Sequence, residues 1–255
     1  IAKETFVVSG FVAVKEVLKN FASLRLKINR NDGKHVKNGT VLAEMKGPVT
    51  DLLLVERTIL NFLQRLSGIA TLTQRFVHLV HGACPERSRR VHPVHLAILD
   101  TRKTTPGLRA LEKKAVRDGG GCNHRMNLSD QYLIKDNHID AAGSVTEAII
   151  KVRAHQLHQK KKVRIEVEVR NQNEFLEALM FRSDIILLDN MSPRAVREMV
   201  RLRQKKCLRR DWPLLEVSGG VTLQNIRKYL KAGVERISIG ALTHSARAVD
   251  IAMKI

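Results

Sequence analysis

From residue 95 onward the chain repeats one rhythm, a short apolar run followed by an amphipathic stretch at helical spacing. The runs are HLAILD (95–100), QYLIKD (131–136), VRIEVEV (163–169), DIILLDN (184–190), LLEVSGG (214–220) and RISIGA (236–241). Between most of them, residues 144–156, 171–181, 192–204 and 222–233 carry the apolar spacing of surface helices. Buried strands alternating with helices predict a parallel sheet. About six such units suit a small closed α/β barrel better than an eightfold one.

The preceding stretch is patterned differently. SLRLKIN (23–29) alternates at period two, RNDG (30–33) reads as a hairpin-type turn, and GTVLAEMKG (39–47) supplies another strand before Pro48. From Asp51 to about His81 the pattern is helical, with Leu53, Leu60, Leu63, Leu66 and Ile69 close to helix spacing. Gly68 predicts a break into two helices, and Glu56 and Arg57 fall in the first turns.

Composition narrows the class. The 255 residues are 44% apolar, which excludes disorder, and no apolar stretch approaches a membrane span. Three scattered cysteines (Cys84, Cys122, Cys207) fit a reducing compartment, so a cytoplasmic protein is expected. The formal charge of +20 favours acidic partners, either nucleic acid or small polyanions. Aromatics at 4% leave few platforms for stacking bases. Basic runs at 158–164 and 203–210 read as solvated segments beside helix ends. His78, His81, Cys84, His92 and His95 match no standard zinc spacing, and Pro93 interrupts them, so 81–95 reads as an exposed loop.

The candidate chemistry sits where the strands end, because parallel α/β folds bind ligands at the carboxyl ends of their strands. The runs finish on Arg102 and Lys103, then Lys135, Glu168, Asp189, the Ser218-Gly219-Gly220 turn, and Gly240; His124 and Arg125 precede the second run. Glu168 and Asp189 suit Mg²⁺ held mainly by substrate oxygens and water. Glycine turns let backbone N–H groups approach a phosphate, and the cations suit carboxylates, Arg bidentately. Taken alone, Asp189 equally reads as a helix cap. Lys113, Lys114 and Arg117 read as a solvated helix face. The joint pattern points to a phosphorylated, multiply anionic substrate.

Seven blocks then carry a resemblance: ERTILNFLQRLSGIATLT, DTRKTTPGLR, GGGCNHRMNLSDQYLIKDNH, IEVEV, LLDNMSP, EVSGGV and SIGALTHSA. In this order they resemble the quinolinate phosphoribosyltransferase family, the carboxylating nicotinate-nucleotide pyrophosphorylases of NAD biosynthesis, through nearly the whole chain. The resemblance implies an N-terminal α/β sandwich over 1–95, whose family counterpart opens upstream of Ile1. It further implies an irregular, about six-stranded parallel α/β barrel over 96–242, with a C-terminal helix at 243–255 packing back on the first domain. It implies a Mg²⁺-dependent reaction of quinolinate with phosphoribosyl pyrophosphate, giving nicotinate mononucleotide, pyrophosphate and CO₂, in a homodimer with shared sites.

By motif position, quinolinate would meet Thr101, Arg102, His124, Arg125 and Lys135, with Arg57 donated by the partner subunit. Phosphoribosyl pyrophosphate would meet Lys103, Glu168, Asp189, Ser218, Gly219, Gly220, Ile239, Gly240, Ala241 and His244. Lys103, Lys135, Glu168 and Asp189 would be catalytic, the two carboxylates facing Mg²⁺. Residues 82–95 are longer and more basic than the family's usual connection. The competing expectations are a related phosphoribosyltransferase acting on another pyridine or pyrimidine acid, and a basic nucleic-acid-binding protein. No membrane association is expected, and on the preferred reading no nucleic acid.

Overall fold

A computed structural model describes residues 1–82, 96–160, 162–207 and 213–254, with only the backbone of 81 and 82. In chain order the elements begin with β1 (Phe6–Val7), α1 (Phe11–Leu18), β2 (Arg25–Ile28), β3 (His35–Val36), β4 (Ala43–Lys46) and α2 (Val49–Gly82). Then come β5 (Ala97–Leu99), α3 (Arg109–Asp118), β6 (Tyr132–Ile134), α4 (Asp136–Ala142), α5 (Val145–His158), β7 (Ile165–Val169) and α6 (Gln172–Met180). The chain continues through β8 (Ile185–Asp189), α7 (Pro193–Lys206), β9 (Leu214–Ser218), α8 (Ile226–Leu230), β10 (Arg236–Ser238) and α9 (Ala241–His244). These elements form two compact units. The first comprises Ile1–His78, Asp100–Asn123 and Gly240–Ile255, the second Leu79–Leu99 and His124–Ile239. The expected loop over residues 81–95, with its histidines and Cys84, lies outside the residues whose side chains are described.

In the first unit β1 pairs with β3 and β2 with β4, both antiparallel. The RNDG turn therefore does not close a hairpin: it carries the chain from β2 to β3, which belongs to the other pair. Leu52, Val55, Ile59, Leu63 and Leu66 form the buried stripe of α2, at the three- and four-residue steps of a helix packed on one side. Contrary to the expected break, α2 runs through Gly68 without interruption. Glycine is there for close approach. A Cβ at 68 would overlap the carbonyl oxygen of Arg247 and lie 3.3 Å from Ala248 Cα.

The expected helix at 243–255 also does not form beyond His244. The tail is extended instead, burying Val249 and Ile251 at period two and bridging Ile251 to Ala2. Its backbone is satisfied by the other end of the chain: Lys3 N–H donates to Asp250 O at 3.0 Å, and Ala252 N–H to Ile1 O at 3.0 Å. A helix would leave those N-terminal partners without acceptors and donors.

The second unit contains all six expected parallel strands, paired in the order β5-β10-β9-β8-β7-β6. From β6 to β10 each strand lies beside its successor, and β5 then lies beside β10. That is the cyclic order of a six-stranded barrel cut between its first two strands, whereas a doubly wound sheet would reverse direction at a switch point. Helices α5 to α7 start where side chains cap them: Ser144, Asn171 and Ser192 accept from the N–H groups of Glu147, Glu174 and Ala195. Ser192 thus performs the capping that Asp189 alone could have been read to do.

Replacing Gly68 by Ala should cost about 1–3 kcal/mol, because the backbone at Arg247 has to move away from the added methyl. Urea unfolding of the two proteins measures it; equal midpoints would show that the contact is not tight.

Candidate active site

Side chains alternate faces along a strand, so register assigns the faces of the second unit's sheet. Glu168, Leu187, Glu216 and Arg236 lie in register across β7 to β10, and Asp189 is in register with Ser218 and Ser238. These polar groups therefore share one face, with Glu166 two residues before Glu168. The other face presents Ile165, Val167, Val169, Ile186, Leu188, Leu215, Val217 and Ile237, all buried. α5 and α6 pack against β6 and β7. The sheet is thus apolar toward its helices and charged on the opposite face.

Glu166 and Glu216 are fully buried on that charged face, and His124 joins them. Its Nε2 lies 3.1 Å from Glu166 Oε2 and 3.3 Å from Glu216 Oε1. Further donors hold both carboxylates: Arg236 Nε donates to the other Glu216 oxygen, Oε2, at 2.5 Å, and Gln131 Nε2 donates to the Glu166 Oε2 that faces His124. Burial alone would lower the His124 pKa, but the two carboxylates outweigh it and carry it to about 9. Burial and the charge of Glu216 push Glu166 upward. For Glu216 burial acts in the same direction, yet His124 and Arg236 hold it below the usual carboxylate value.

In the neutral ring Nδ1 accepts the backbone N–H of Arg125 at 2.8 Å. Protonation makes that nitrogen a donor and releases the contact. The contact is local, between adjacent residues, and yields to two carboxylates. His124, Glu166 and Glu216 offer ligand atoms within 4.8 Å of one another, the only such group among the described residues. With His124 protonated and Arg236 paired to Glu216, two cations meet the two carboxylates and the cluster balances its charge without a metal.

At the strand ends, Lys135 Nζ lies 3.3 Å from Glu168 Oε2, and Asn190 Nδ2 donates to Asp189 Oδ2 at 2.8 Å. Burial raises the pKa of Glu168; Lys135 opposes this, while Asp189 and Asp136 reinforce it. Glu168 and Asp189 are therefore mutually repelling hard oxygen donors, suited to a divalent cation. Ser218 leads into Gly219 and Gly220, both at positive φ (88° and 61°). The positive φ at both favours glycine, and a Cβ at 219 would in addition displace the Asn190 side-chain amide. Arg125, half-buried, donates from Nη1 to the backbone oxygen of Gln131 at 3.2 Å. Ile239 N–H donates to Leu99 O at 2.9 Å, and its side chain is buried.

The first unit holds the remaining candidates. Arg102 and Lys103 are exposed on a loop whose frame is buried. Asp100 accepts from Lys113 Nζ and Asn123 Nδ2. Glu112 accepts the Thr105 N–H at 3.1 Å and the Thr105 hydroxyl at 2.8 Å, and pairs with Arg65 at 3.0 Å. Thr101 Oγ1 accepts the Lys103 N–H, and Thr243 Oγ1 donates to Lys103 O. A Cβ on Gly240 would come within 3.3 Å of Lys103 Cδ and 3.1 Å of His244 Nε2, so this glycine lets both side chains close in. Ala241 opens the short helix that follows. Arg57 is exposed on α2, beside exposed Leu53 and Leu54.

Two readings of basic residues need correction. Lys113 is fully buried against Asp100 rather than solvated, and Lys114 pairs with Asp32 and Asp118 at 2.8 and 2.7 Å. Arg203 is likewise buried, bridging Glu235 at 2.8 Å. In each case a carboxylate distant in sequence supplies the counter-charge. Glu166 and Glu216 were missed among the site's neighbours, although strict alternation in IEVEV places Glu166 on the same face as Glu168.

Comparison with known proteins decides the family. The model of the quinolinate phosphoribosyl transferase N-terminal domain matches residues 1–67, and that of the C-terminal domain matches residues 69–254. The chain belongs to the quinolinate phosphoribosyltransferase family. Among similar relatives, the probable nicotinate-nucleotide pyrophosphorylase [carboxylating] of Bacillus subtilis is 40% identical over 259 residues, spanning 100% of this chain and 82% of that protein. Quinolinate phosphoribosyltransferase [decarboxylating] 1b of Nicotiana tabacum is 38% identical, spanning 100% of this chain and 72% of that protein. The crystal structure of NadC from Streptococcus pyogenes superposes with a TM-score of 0.85 at 38% identity, covering 99% of this chain and 83% of that one. No helix among the described residues is long and apolar enough to cross a membrane.

The His124 cluster makes stability pH-dependent in a defined window. Below the unfolded value of 6.5 the ring is charged in both states and its stabilising pairing is complete; this is lost as pH rises through about 9. Wild type should lose on the order of 3 kcal/mol across that interval, and His124→Gln much less. Urea midpoints of both proteins from pH 6 to 9.5 measure the difference; parallel pH slopes would place the titration elsewhere.

Proposed function

We propose that this protein transfers phosphoribosyl from phosphoribosyl pyrophosphate to quinolinate with decarboxylation, yielding nicotinate mononucleotide, pyrophosphate and CO₂. The observation that carries the reading is the charged sheet face. Its strand ends carry Lys135, Glu168, Asp189 and the Ser218-Gly219-Gly220 turn, in a chain that belongs to the family over both of its domains. His124 and Arg125 are cations suited to carboxylates, and family resemblance assigns Thr101, Arg102 and Lys135 to the same acid. Lys103 serves both substrates, and Ser218, Gly219, Gly220, Ile239, Gly240, Ala241 and His244 serve the phosphoribosyl substrate.

The chemistry asks for positioning and charge rather than a strong base. The pyridine nitrogen attacks C1 of the ribose as the C1–O bond to pyrophosphate breaks through an oxocarbenium-like state. Lys103 and Lys135 stabilise the departing charge. The nitrogen becomes quaternary, so the electron pair of the breaking carboxylate bond enters the ring and CO₂ leaves. A proton from solvent then replaces it on carbon. Glu168 and Asp189 would hold Mg²⁺, which would supply neutralisation of the pyrophosphate charge. A cytoplasmic setting accords with the scarcity of cysteine, three in 255 residues.

The same reading makes the catalytic unit a homodimer. Leu53 and Leu54, 55% and 69% exposed, flank the exposed Arg57 on α2, an apolar stripe with a cation that suits a partner subunit's acidic substrate.

An assay of Mg²⁺-dependent pyrophosphate and CO₂ release from the two substrates tests the function. Arg125→Ala should weaken quinolinate binding by about 1.5–3 kcal/mol and leave the phosphoribosyl substrate nearly unaffected. Unchanged quinolinate affinity would remove Arg125 from that site.

Mixing Arg57→Ala with Lys135→Ala tests the dimer. Each alone should be inactive, and after subunit exchange one site of the mixed dimer carries neither lesion, so activity should partly return. Demonstrated exchange without recovery would confine Arg57 to its own subunit.

A further inference from the structure

Two glutamates buried on the charged sheet face have no part in the chemistry above, yet they hold residues that do. Glu166 connects to both proposed carboxylate-binding cations. It faces His124 Nε2 at 3.1 Å, and its Oε2 accepts the side-chain amide of Gln131, whose backbone oxygen accepts Arg125 Nη1 at 3.2 Å. Glu216 closes the other side, 3.3 Å from His124 Nε2, and is itself fixed by Arg236 at 2.5 Å. Every member lies within the second unit. Glu166 and Glu216 are fully buried, and His124 and Gln131 are 8% and 9% exposed.

We propose that Glu166, supported by Glu216, is a positioning residue for the dicarboxylic acid: through His124 and Gln131 it fixes the two cations at the separation the two carboxylates require. This rests on the quinolinate reading of the site. Neither glutamate touches substrate. A dicarboxylate needs its two partners at a set spacing, whereas a single carboxylate is bound by either cation alone. The network therefore bears on selection of a di-acid over a mono-acid. A buried, hydrogen-bonded frame supplies that spacing because its members cannot turn away without stranding a charge or donor.

Glu166→Gln is the direct test. It keeps the shape but removes the charge: with the amide oxygen toward Gln131 the N–H₂ replaces Oε1, 3.4 Å from His124 Nε2, and with the amide reversed the N–H₂ faces both donors, so a donor loses its acceptor. The KM for quinolinate should rise about tenfold or more, as expected for loss of a charged hydrogen bond, with less than about twofold change for phosphoribosyl pyrophosphate. Inhibition by nicotinate, a mono-acid, should weaken far less than binding of quinolinate. The double variant Glu166→Gln with Gln131→Glu restores one donor facing one acceptor and should recover much of the loss.

Gln131→Met serves as a second variant if Glu166→Gln does not fold. It removes only the side-chain amide, keeps the backbone acceptor of Arg125, and should raise the quinolinate KM alone. Equal effects on both substrates, or a fall in melting temperature without a selective KM change, would overturn the proposal and leave the glutamates purely structural. Wild type is assayed alongside: if it does not use quinolinate, the functional reading itself has failed, and only an active wild type tests the positioning role.

Discussion

Buried charge on the inner face of a parallel sheet is the constraint on which the second unit is built. Glu166 on β7 and Glu216 on β9 are removed from water on that face with β8 between them, and a buried carboxylate without a partner is too costly to keep. His124 is inserted between them, Arg236 holds the second oxygen of Glu216, and Gln131 donates to Glu166. Once those partners are required, the path of the chain from 124 to 131 is largely determined. It has to return His124 to the sheet and start β6 with the Gln131 side chain against Glu166.

The same rule organises the first unit. Asp100 lies two residues before Arg102, and it is buried against Lys113 and Asn123. Glu112, also fully buried, gathers Thr105 and Arg65. Exposed cations are thereby carried on a loop whose base is fixed by buried pairs. An anion-binding site benefits from that division, because flexible cations lose binding energy to ordering whereas held ones do not.

Glycine does a different job, and only in a few places. Gly219 leaves room for Asn190, Gly240 for Lys103 and His244, and Gly68 for the backbone at Arg247. The first two lie in the turns that the proposed function assigns to the phosphoribosyl substrate. The third serves helix packing alone, which is why a glycine that looked like a helix break is not one.

The strands, the helices between them and the charged strand ends were legible in the residues, because period-two and helical spacing report burial directly. So was the charge sequence at the strand ends, from Arg102 and Lys103 through Lys135, Glu168 and Asp189 to the Ser218 turn. The family blocks made the preferred chemistry legible as well. What the residues alone did not show depended on partners distant along the chain. Lys113 reads as a solvated lysine until Asp100 lies beside it, and residues 243–255 read as a helix until the N-terminal backbone supplies hydrogen bonds to an extended tail. Glu166 reads as one more polar strand position until His124 and Glu216 share its burial. Periodicity records which face a residue occupies; only the tertiary structure decides which charge it meets there, because the Coulomb and desolvation terms that decide it depend on distance in space and not on distance in sequence.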